Sequence, residues 1–570
     1  MIVFRNRLKF PLFLSTVFAL GLFPVALAAE PTEETETLAV PVDVTPLEMV
    51  DPNSVGLLDD AAGGFGVGMW EGTDRKLVEQ LLPKLPAAAP SRVLRSLQRR
   101  LLLSMATAPG DGVLQANLLP LRFERLAAMG ETEAVLALAQ IVPAAALDES
   151  MAIVIVESLF LVGQTETACQ EVRNRIRDYP GAHWQRMLVF CESLAGETEA
   201  VELGLALLGE MPEKTKPVFF QLIGAILGRE DVAIASLPEP SPLEVVMIAA
   251  AKREVPPDAG TATHAASLRL LAGNGNAPMA LRQVAGERAE AIGSLATEDL
   301  AALYGAVSFP AEAIAAAGDA AMQDPSSRAL LYQAARAASS PEIKARLLER
   351  AWQAASVADP TGALYGTSVR INLPVLDSLT PTPELAWFAA AAGQALLLGG
   401  RWEEAATWLD LARREAFATA AAEKARDRLS PYVQLAGQAE GMSLEADRLD
   451  AWLAGRPEGA AGKAEAARLF GLLTAMGETV SGAEWAQLVD EAPQTTAVVP
   501  SAAIRHGLAE ASAAGRLGET VLLTLLSLGE RGPAAASAVT LEAAVLALRA
   551  VGLDRDARAL ALEASLLGEP

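Results

Sequence analysis

Apolar residues recur every three or four positions along most of the chain, and polar residues fill the positions between them. After Ser91, for example, Leu94, Leu97, Leu101 and Met105 follow this spacing. The spacing places the apolar side chains on one face of an α-helix, and serine is a residue that commonly caps a helix N-terminus. No set of segments alternates apolar and polar residues as strands of a sheet would. The pattern therefore predicts an all-α protein.

A short motif recurs at a nearly constant interval. The letters GETEA begin at Gly130, GQTET at Gly163 and GETEA again at Gly196, each 33 residues after the copy before it, and a weaker GRED begins at Gly228. Each interval holds two amphipathic segments, so each unit reads as a helix hairpin whose glycine closes one helix in the left-handed conformation. One hairpin cannot bury its apolar face alone, whereas stacked neighbours can. The repeat predicts an α-solenoid of stacked helix hairpins.

Two parts of the chain match a known repeat. Gly163, Ala168 and Pro180 have the spacing of the turn glycine, second-helix alanine and closing proline of a tetratricopeptide repeat, and GRWEEA from Gly400 through to Ala412 is similar to that family's turn and second helix. The chain thus resembles tetratricopeptide-repeat-like (TPR-like) α-solenoid proteins. The resemblance implies stacked hairpins as the fold and the binding of a protein or peptide partner as the usual task.

The N-terminus has the pattern of a targeting segment. Arg5, Arg7 and Lys9 precede an apolar stretch over residues 12–26, and the letters ALA end at Ala28. This order is typical of a secretory signal peptide, so we expect cleavage after Ala28 and a periplasmic protein. Retention of the apolar stretch as a membrane anchor is the alternative.

Composition divides the rest of the chain. Residues 29–60 carry nine acidic residues, four prolines and no Lys or Arg, which is typical of a solvated, unfolded segment. The predicted regions are a signal peptide over 1–28, an acidic disordered linker over 29–69, N-terminal TPR-like helical repeats over 70–240, an alanine-rich helical middle region over 241–382 and a C-terminal TPR-like helical region over 383–570.

Proline and alanine positions predict individual helices in the second half of the chain. Pro325, Pro341, Pro383 and Pro431 each follow Asp, Ser or Thr, and this pairing predicts the start of a helix. Seven of the thirteen residues over 310–322 are alanine, and we expect this segment to form a tightly packed inner helix.

The chain has two cysteines, and their positions predict a bond. Cys169 and Cys191 each lie eleven residues from Pro180, so they reach the same level of an antiparallel hairpin that turns there. An oxidising compartment allows this disulfide to form. Two buried free thiols are the alternative.

The sequence contains few residues that could form a catalytic or metal-binding site. His183, His264 and His506 are far apart, and none has a cysteine or carboxylate at the spacing of a metal site. We therefore predict no catalytic residue, no metal and no cofactor. The net charge of −24 disfavours nucleic acid and anionic lipid as partners.

Three tryptophans are candidate contacts for a partner: Trp387, Trp402 and Trp408. Aromatic side chains on a helical-repeat surface can anchor a peptide, although they also fill seams between repeats. The sequence thus favours a periplasmic, non-enzymatic scaffold or adaptor that binds a protein or peptide in envelope assembly, a motility or secretion accessory being one version. The alternatives are a peptidoglycan-active envelope enzyme with a carboxylate hidden among the helix faces, and a purely structural spacer.

Overall fold

The structure of the protein is a computed structural model that describes residues 51–110, 118–229, 233–322, 324–438, 446–489, 497 and 499–567. The described chain is helical, and its one β-type contact is an isolated parallel bridge between Leu58 and Ser104. The prediction of an all-α protein is confirmed. The predicted signal peptide, its cleavage site and the linker up to residue 50 lie outside the described residues.

The α-helices of the described residues are numbered α1 to α27 along the chain. The N-terminal set is α1 (Arg75–Leu81), α2 (Arg92–Leu103), α3 (Leu119–Ala128), α4 (Thr132–Ile141), α5 (Glu149–Leu161), α6 (Thr165–Arg175), α7 (Ala182–Ala195), α8 (Thr198–Glu210) and α9 (Pro217–Ile226). The middle set is α10 (Pro242–Ala250), α11 (Ala265–Gly273), α12 (Met279–Ala291), α13 (Thr297–Gly305), α14 (Ala311–Ala315), α15 (Pro325–Ala337), α16 (Pro341–Ala358) and α17 (Ala363–Leu376). The C-terminal set is α18 (Ala389–Leu398), α19 (Trp402–Glu415), α20 (Ala420–Leu435), α21 (Ala446–Ala454), α22 (Ala460–Ala475), α23 (Gly482–Ala486), α24 (Ala502–Ala513), α25 (Leu517–Leu528), α26 (Ala538–Ala550) and α27 (Asp554–Leu567).

The repeat glycines lie at the turns, as predicted. Gly130, Gly163, Gly196 and Gly228 have φ between 74° and 78°, the left-handed conformation that ends a helix most readily at glycine. In the first three copies the next helix begins two residues later. Helices that are neighbours in sequence pack against each other, as α7 does with α8 and α18 with α19.

The first copy of the repeat is in a different environment from the others. A Cβ atom at Gly130 would lie 3.2 Å from the Cβ of Ala265 at the start of α11, whereas a Cβ at Gly163 or Gly196 would meet nothing within 4 Å. Arg269 of α11 also donates to the Thr132 hydroxyl at 2.7 Å. The first repeat turn therefore carries a tertiary contact that its sequence copies do not.

The second and the last α-helices of the described chain contact each other. α2 packs against both α25 and α27, and α27 also contacts α17 and α18. Consequently one buried apolar cluster contains residues from 65–154 and from 317–566, while a second holds residues from 152–371. The described residues from 51 to 567 thus belong to one compact unit.

Three of the four expected proline starts are confirmed and one is wrong. Pro325 and Pro341 begin α15 and α16, and Pro383 begins a 3-10 helix over Pro383–Phe388. Pro431, by contrast, lies inside α20. Its ring removes one helical hydrogen bond, but Tyr432 and its neighbours are buried, so packing keeps the helix continuous.

Two further expectations differ from the structure. Residues 51–69, which fall within the predicted linker, fold onto the body: Phe65 and Met69 are buried, and Arg122 donates to the carbonyl oxygens of Asn53 and Val55. The alanine run over 310–322 is not an inner helix. It forms the short α14 and a 3-10 turn and is mostly exposed, because an alanine side chain has little apolar area with which to drive burial.

Every helix among the described residues is too short or too polar to cross a lipid bilayer.

Candidate functional site

A cleft of 570 Å³ lies where the N-terminal, middle and C-terminal sets of helices meet. It is bounded by α2, α13, α17, α18, α19 and α27, and we call it the central cleft. Its charged and aromatic lining consists of Arg92, Glu298, Arg370, Trp402, Arg555, Asp556 and Glu563.

A buried carboxylate holds the wall of the cleft together. The Glu290 side chain of α12 is fully buried and accepts from Arg92 at 2.6 Å. Arg370 binds it in bidentate fashion, with Nε to Oε1 and Nη2 to Oε2 both 2.8 Å, and the Thr297 hydroxyl donates to Oε1 at 2.8 Å. Glu290 thereby links α2, α12, α13 and α17, which are distant in sequence.

The two arginines keep Glu290 ionised. Burial alone would raise the pKa of this carboxyl, but the charges of Arg370 and Arg92 and the hydrogen bonds to Glu290 outweigh it and lower the pKa to about 2. For Arg92 burial has the opposite sign: it lowers the pKa of the guanidinium, and Glu290 partly restores it. Glu290 is therefore an anion near neutral pH, and its two oxygens accept from Arg92, Arg370 and Thr297.

Glu563 of α27 is in a different electrostatic environment. The residue is 7% exposed, and burial raises its pKa, while hydrogen bonds from the start of α2 lower it in part. Its Oε2 accepts the backbone N–H of Val93 at 3.3 Å. Its Oε1 is buried and has no hydrogen-bond partner among the described residues. Glu563 thus lines the cleft, while its unpaired Oε1 is closed to solvent.

The rim of the cleft carries Trp402 and Arg555. The Trp402 indole N–H donates to the carbonyl oxygen of Leu397 at 3.2 Å, which fixes the ring at the start of α19. The exposed Arg555 guanidinium lies 6.0 Å from the centre of that ring, within the range of a cation–π contact. Its neighbour Asp556 is bound by Arg100 at 2.8 Å. Arg555 has no ion pair within the described part of the chain, so its charge faces solvent at the cleft mouth.

The other two candidate tryptophans lie elsewhere. Trp408 is 4% exposed and packs edge-on against Phe388, with ring centres 6.0 Å apart. Trp387 is partly buried, and the Arg346 guanidinium lies 5.7 Å from its ring. Of the three, Trp402 lines the central cleft and the other two do not.

The predicted disulfide is present. Cys169 of α6 and Cys191 of α7 are bonded, with Cα atoms 5.5 Å apart, so the alternative of two free thiols does not hold in this structure. The bond lies in the second apolar cluster and takes no part in the cleft. The bond joins two helices that follow each other in sequence, α6 and α7.

The histidines do not form a site together. His183 lies 3.3 Å from Glu157, His506 lies 3.8 Å from Glu510, and His264 directly precedes α11. Within the described ranges, no group of three or more His, Cys, Asp or Glu side chains could hold a metal ion.

Sequence reasoning missed the charged residues of the cleft. Glu290 follows Ala289 on a buried face of α12, and Glu563 lies in the apolar sequence ALALEASLL of α27. Each glutamate stands at a position where the helical spacing predicts a buried side chain. A buried carboxylate requires a partner, so these positions indicate an ion pair or hydrogen bond. The partner itself could not be read from the sequence.

Comparison with known proteins returned no match, whether against family models, curated proteins or solved structures.

Proposed function

We propose that the chain is an exported, periplasmic, non-enzymatic adaptor, built as a TPR-like α-solenoid, that binds a protein or peptide partner in the central cleft. We favour a role in envelope assembly. The chain could, for example, be an accessory protein of a motility or secretion system. The observation that carries the proposal is the central cleft of 570 Å³, whose lining presents Arg92, Trp402 and Arg555.

The acidic net charge of −24 favours a partner with basic residues near the contact, since opposite charges speed association.

The rim supports the same proposal. Trp402 and Arg555 are of the residue types that contribute most to protein interfaces when they become buried. Arg555 is exposed and rests over the Trp402 ring, so an arriving segment can displace it without breaking an ion pair within the described residues. The ring would then be open for contact while its N–H stays bound to Leu397.

The ionisation of the cleft carboxyls favours a binding role. Glu290 is ionised at neutral pH and enclosed by arginines, so it can neither give up a proton nor reach a ligand. Glu563 supports the competing proposal of a peptidoglycan-active enzyme, because a carboxyl with a raised pKa in a cleft is a common general acid. We favour the adaptor because Glu563 already binds the start of α2.

Site-specific crosslinking in the periplasm tests the adaptor. A photo-reactive phenylalanine derivative replaces Arg555 at the rim, and in a control it replaces Phe417, which is 97% exposed and outside the cleft. We expect a discrete adduct from position 555 and none of that size from position 417. Equal adducts from both positions would contradict the proposal.

A second variant tests the competing proposal of an enzyme. Glu563→Gln retains an oxygen that can accept from the Val93 N–H, but it removes the titratable carboxyl from the cleft lining. The purified full chain is incubated with isolated peptidoglycan. Release of soluble fragments by the wild type but not by Glu563→Gln would replace the adaptor with the enzyme.

A further inference from the structure

Helix α8 exposes leucine side chains on the face that points away from the protein. Its buried residues, Val201 and Leu208, lie on the face that packs against α7, where a Cβ atom at Gly204 would clash with Val189. On the opposite side Leu203 is 73% exposed and Leu207 is 41% exposed. Because they are four residues apart, the two leucines are neighbours on the helix surface. α8 therefore has one apolar face in the core and a second one in solvent.

The preceding repeat has polar residues at the same two positions. α6 and α8 each begin two residues after their repeat glycine, so Gln170 and Asn174 of α6 correspond to Leu203 and Leu207. Both are exposed, and the Gln170 amide donates to the Asn174 side chain at 3.1 Å. The repeat thus folds with polar side chains here, and its fold does not require the leucines of α8.

The first copy of the repeat gives a further comparison. Ala137 and Ile141 of α4 correspond to Leu203 and Leu207, and Ile141 is 46% exposed at the last position of its helix. The second of the two positions therefore accepts an apolar side chain in more than one copy. A large apolar side chain at the first position, by contrast, occurs among these three copies in α8 alone.

Glutamates stand at both ends of the leucine pair. Glu199, Leu203, Ala206 and Glu210 are exposed, and their spacing of four, three and four residues places them on one side of α8. We call these four residues, together with Leu207, the outer face of α8. The face is an apolar centre with a negative charge at each end.

The cations nearest to α8 in sequence do not neutralise this face. α8 has the sequence TEAVELGLALLGE, which contains no Lys, Arg or His. Arg229 lies 3.4 Å from Glu202, which is outside the set of residues that form the outer face. Lys214 and Lys216 follow α8 and line a separate pocket, where Lys216 lies 3.3 Å from Glu244. The outer face thus favours a partner with positive charges.

Charge also argues against a second copy of this chain as the occupant. If two α8 helices packed together, Glu199 would approach either Glu199 or Glu210 of the other copy, depending on the direction in which the helices run. Each copy also has a net charge of −24. Like charges placed opposite each other disfavour an interface, whereas a basic partner would pair with both glutamates.

The shape of the outer face favours a helix as the partner. The side chains of a single exposed helix form a ridge, and the ridges of one helix fit into the grooves of another. A partner helix with apolar residues three or four positions apart would cover Leu203 and Leu207 together, and Lys or Arg residues beside them would reach the glutamates.

We infer that the outer face of α8 binds a basic amphipathic helix of a partner protein. Apolar side chains of that helix cover Leu203 and Leu207, and its cations pair with Glu199 and Glu210. α8 contributes no residue to the lining of the central cleft, so this contact is separate from the proposed cleft function and does not depend on it.

A designed peptide tests the outer face. A labelled, blocked peptide of about 18 residues carries leucine at every third or fourth position and lysine elsewhere, and its dissociation constant with the full chain is measured by fluorescence anisotropy. The double variant Leu203→Gln, Leu207→Asn gives α8 the residues of α6. It should weaken binding at least about tenfold, because the leucines of the peptide then lose their apolar contact.

Two controls separate the outer face from general attraction to an acidic protein. Ile141→Asn changes the corresponding, similarly exposed residue of α4 and should leave the dissociation constant unchanged. A peptide of the same composition, scrambled so that its leucines share no face, should bind the wild type and the double variant equally weakly. Melting temperatures of the wild type and the double variant should agree, because α6 carries the same residues in the same repeat.

A charge reversal gives a readout that loss of folding cannot produce. Glu199→Lys combined with Glu210→Lys should weaken binding of the lysine peptide and strengthen binding of a peptide in which glutamate replaces lysine. Analytical ultracentrifugation should show the wild type and the leucine double variant as the same species.

The inference is overturned if the leucine double variant binds the lysine peptide as tightly as the wild type, or if the charge-reversed chain still prefers it. A wild-type dimer that the double variant dissociates would assign the face to a second copy instead. Loss of binding to phosphatidylcholine vesicles in the double variant alone would assign it to a lipid surface.

Discussion

Replacing Glu290 by glutamine removes the single negative charge from between two arginines behind the wall of the central cleft. The glutamine fits the same space, so the main change is electrostatic. Arg370 and Arg92 would then face each other without a counter-charge, with side chains 18% and 32% exposed. Because Glu290 links helices from the N-terminal and middle sets, we expect the change to weaken the whole junction.

Two routes give the same magnitude for this loss. The pKa of Glu290 falls from 4.5 to about 2 in the folded protein, and each unit corresponds to about 1.4 kcal/mol, so the ionised form contributes about 3 kcal/mol. Independently, removal of one partner from a buried ion pair costs about 3–5 kcal/mol. Since the folded pKa is the lower one, this stability is complete above about pH 4.5 and is lost as the pH falls through about 2.

Urea denaturation followed by circular dichroism measures the effect. At pH 7 we expect Glu290→Gln to lower the free energy of unfolding by about 3 kcal/mol, and at pH 3 the difference should shrink to about half or less. The control is Glu342→Gln, which removes the partner of Arg346 at the same 2.8 Å distance but on the surface, and should cost about 0.5 kcal/mol. A loss below about 1 kcal/mol at pH 7, or a difference independent of pH, would refute the reasoning.

Three further predictions concern the repeats and the start of the folded body. Denatured but unreduced protein should show no free thiol on labelling, and replacing Cys169 and Cys191 by alanine should lower stability by about 3 kcal/mol, the entropy of a loop of this length. Gly130→Ala should lower the melting temperature more than Gly163→Ala, because both have positive φ but a Cβ at Gly130 would be within 3.2 Å of a neighbouring side chain; equal shifts would contradict the packing. Arg122→Ala removes hydrogen bonds to three backbone carbonyls and should make residues 51–58 sensitive to limited proteolysis, while an unchanged digest would show that other contacts hold them.

Features that depend on local physics were predictable. The left-handed turns at Gly130, Gly163 and Gly196 follow from glycine between two amphipathic segments, and the structure places them there. The bond between Cys169 and Cys191 follows from equal distances to a hairpin turn. In each case the residues that decide the outcome are near each other in sequence.

Features that depend on competition between local and tertiary forces were less predictable. The pairing of Ser430 with Pro431 reads as a helix start, but burial of the neighbouring side chains carries α20 through it. The alanine run over 310–322 has high helix propensity, yet only short, mostly exposed turns form there. Propensity states what a segment can do alone, whereas packing decides what it does in the protein.

The sequence by itself determined that the protein is helical, where several of its turns fall and which cysteines pair. Only the tertiary structure decided that α2 meets α27, and that Arg92, Glu290 and Arg370 of α2, α12 and α17 converge beside a cleft. The reason is physical: apolar burial is not directional, so an amphipathic face specifies that a helix packs without specifying its partner. The partner depends on shape and charge complementarity between residues such as Glu290 and Arg92, which lie 198 positions apart.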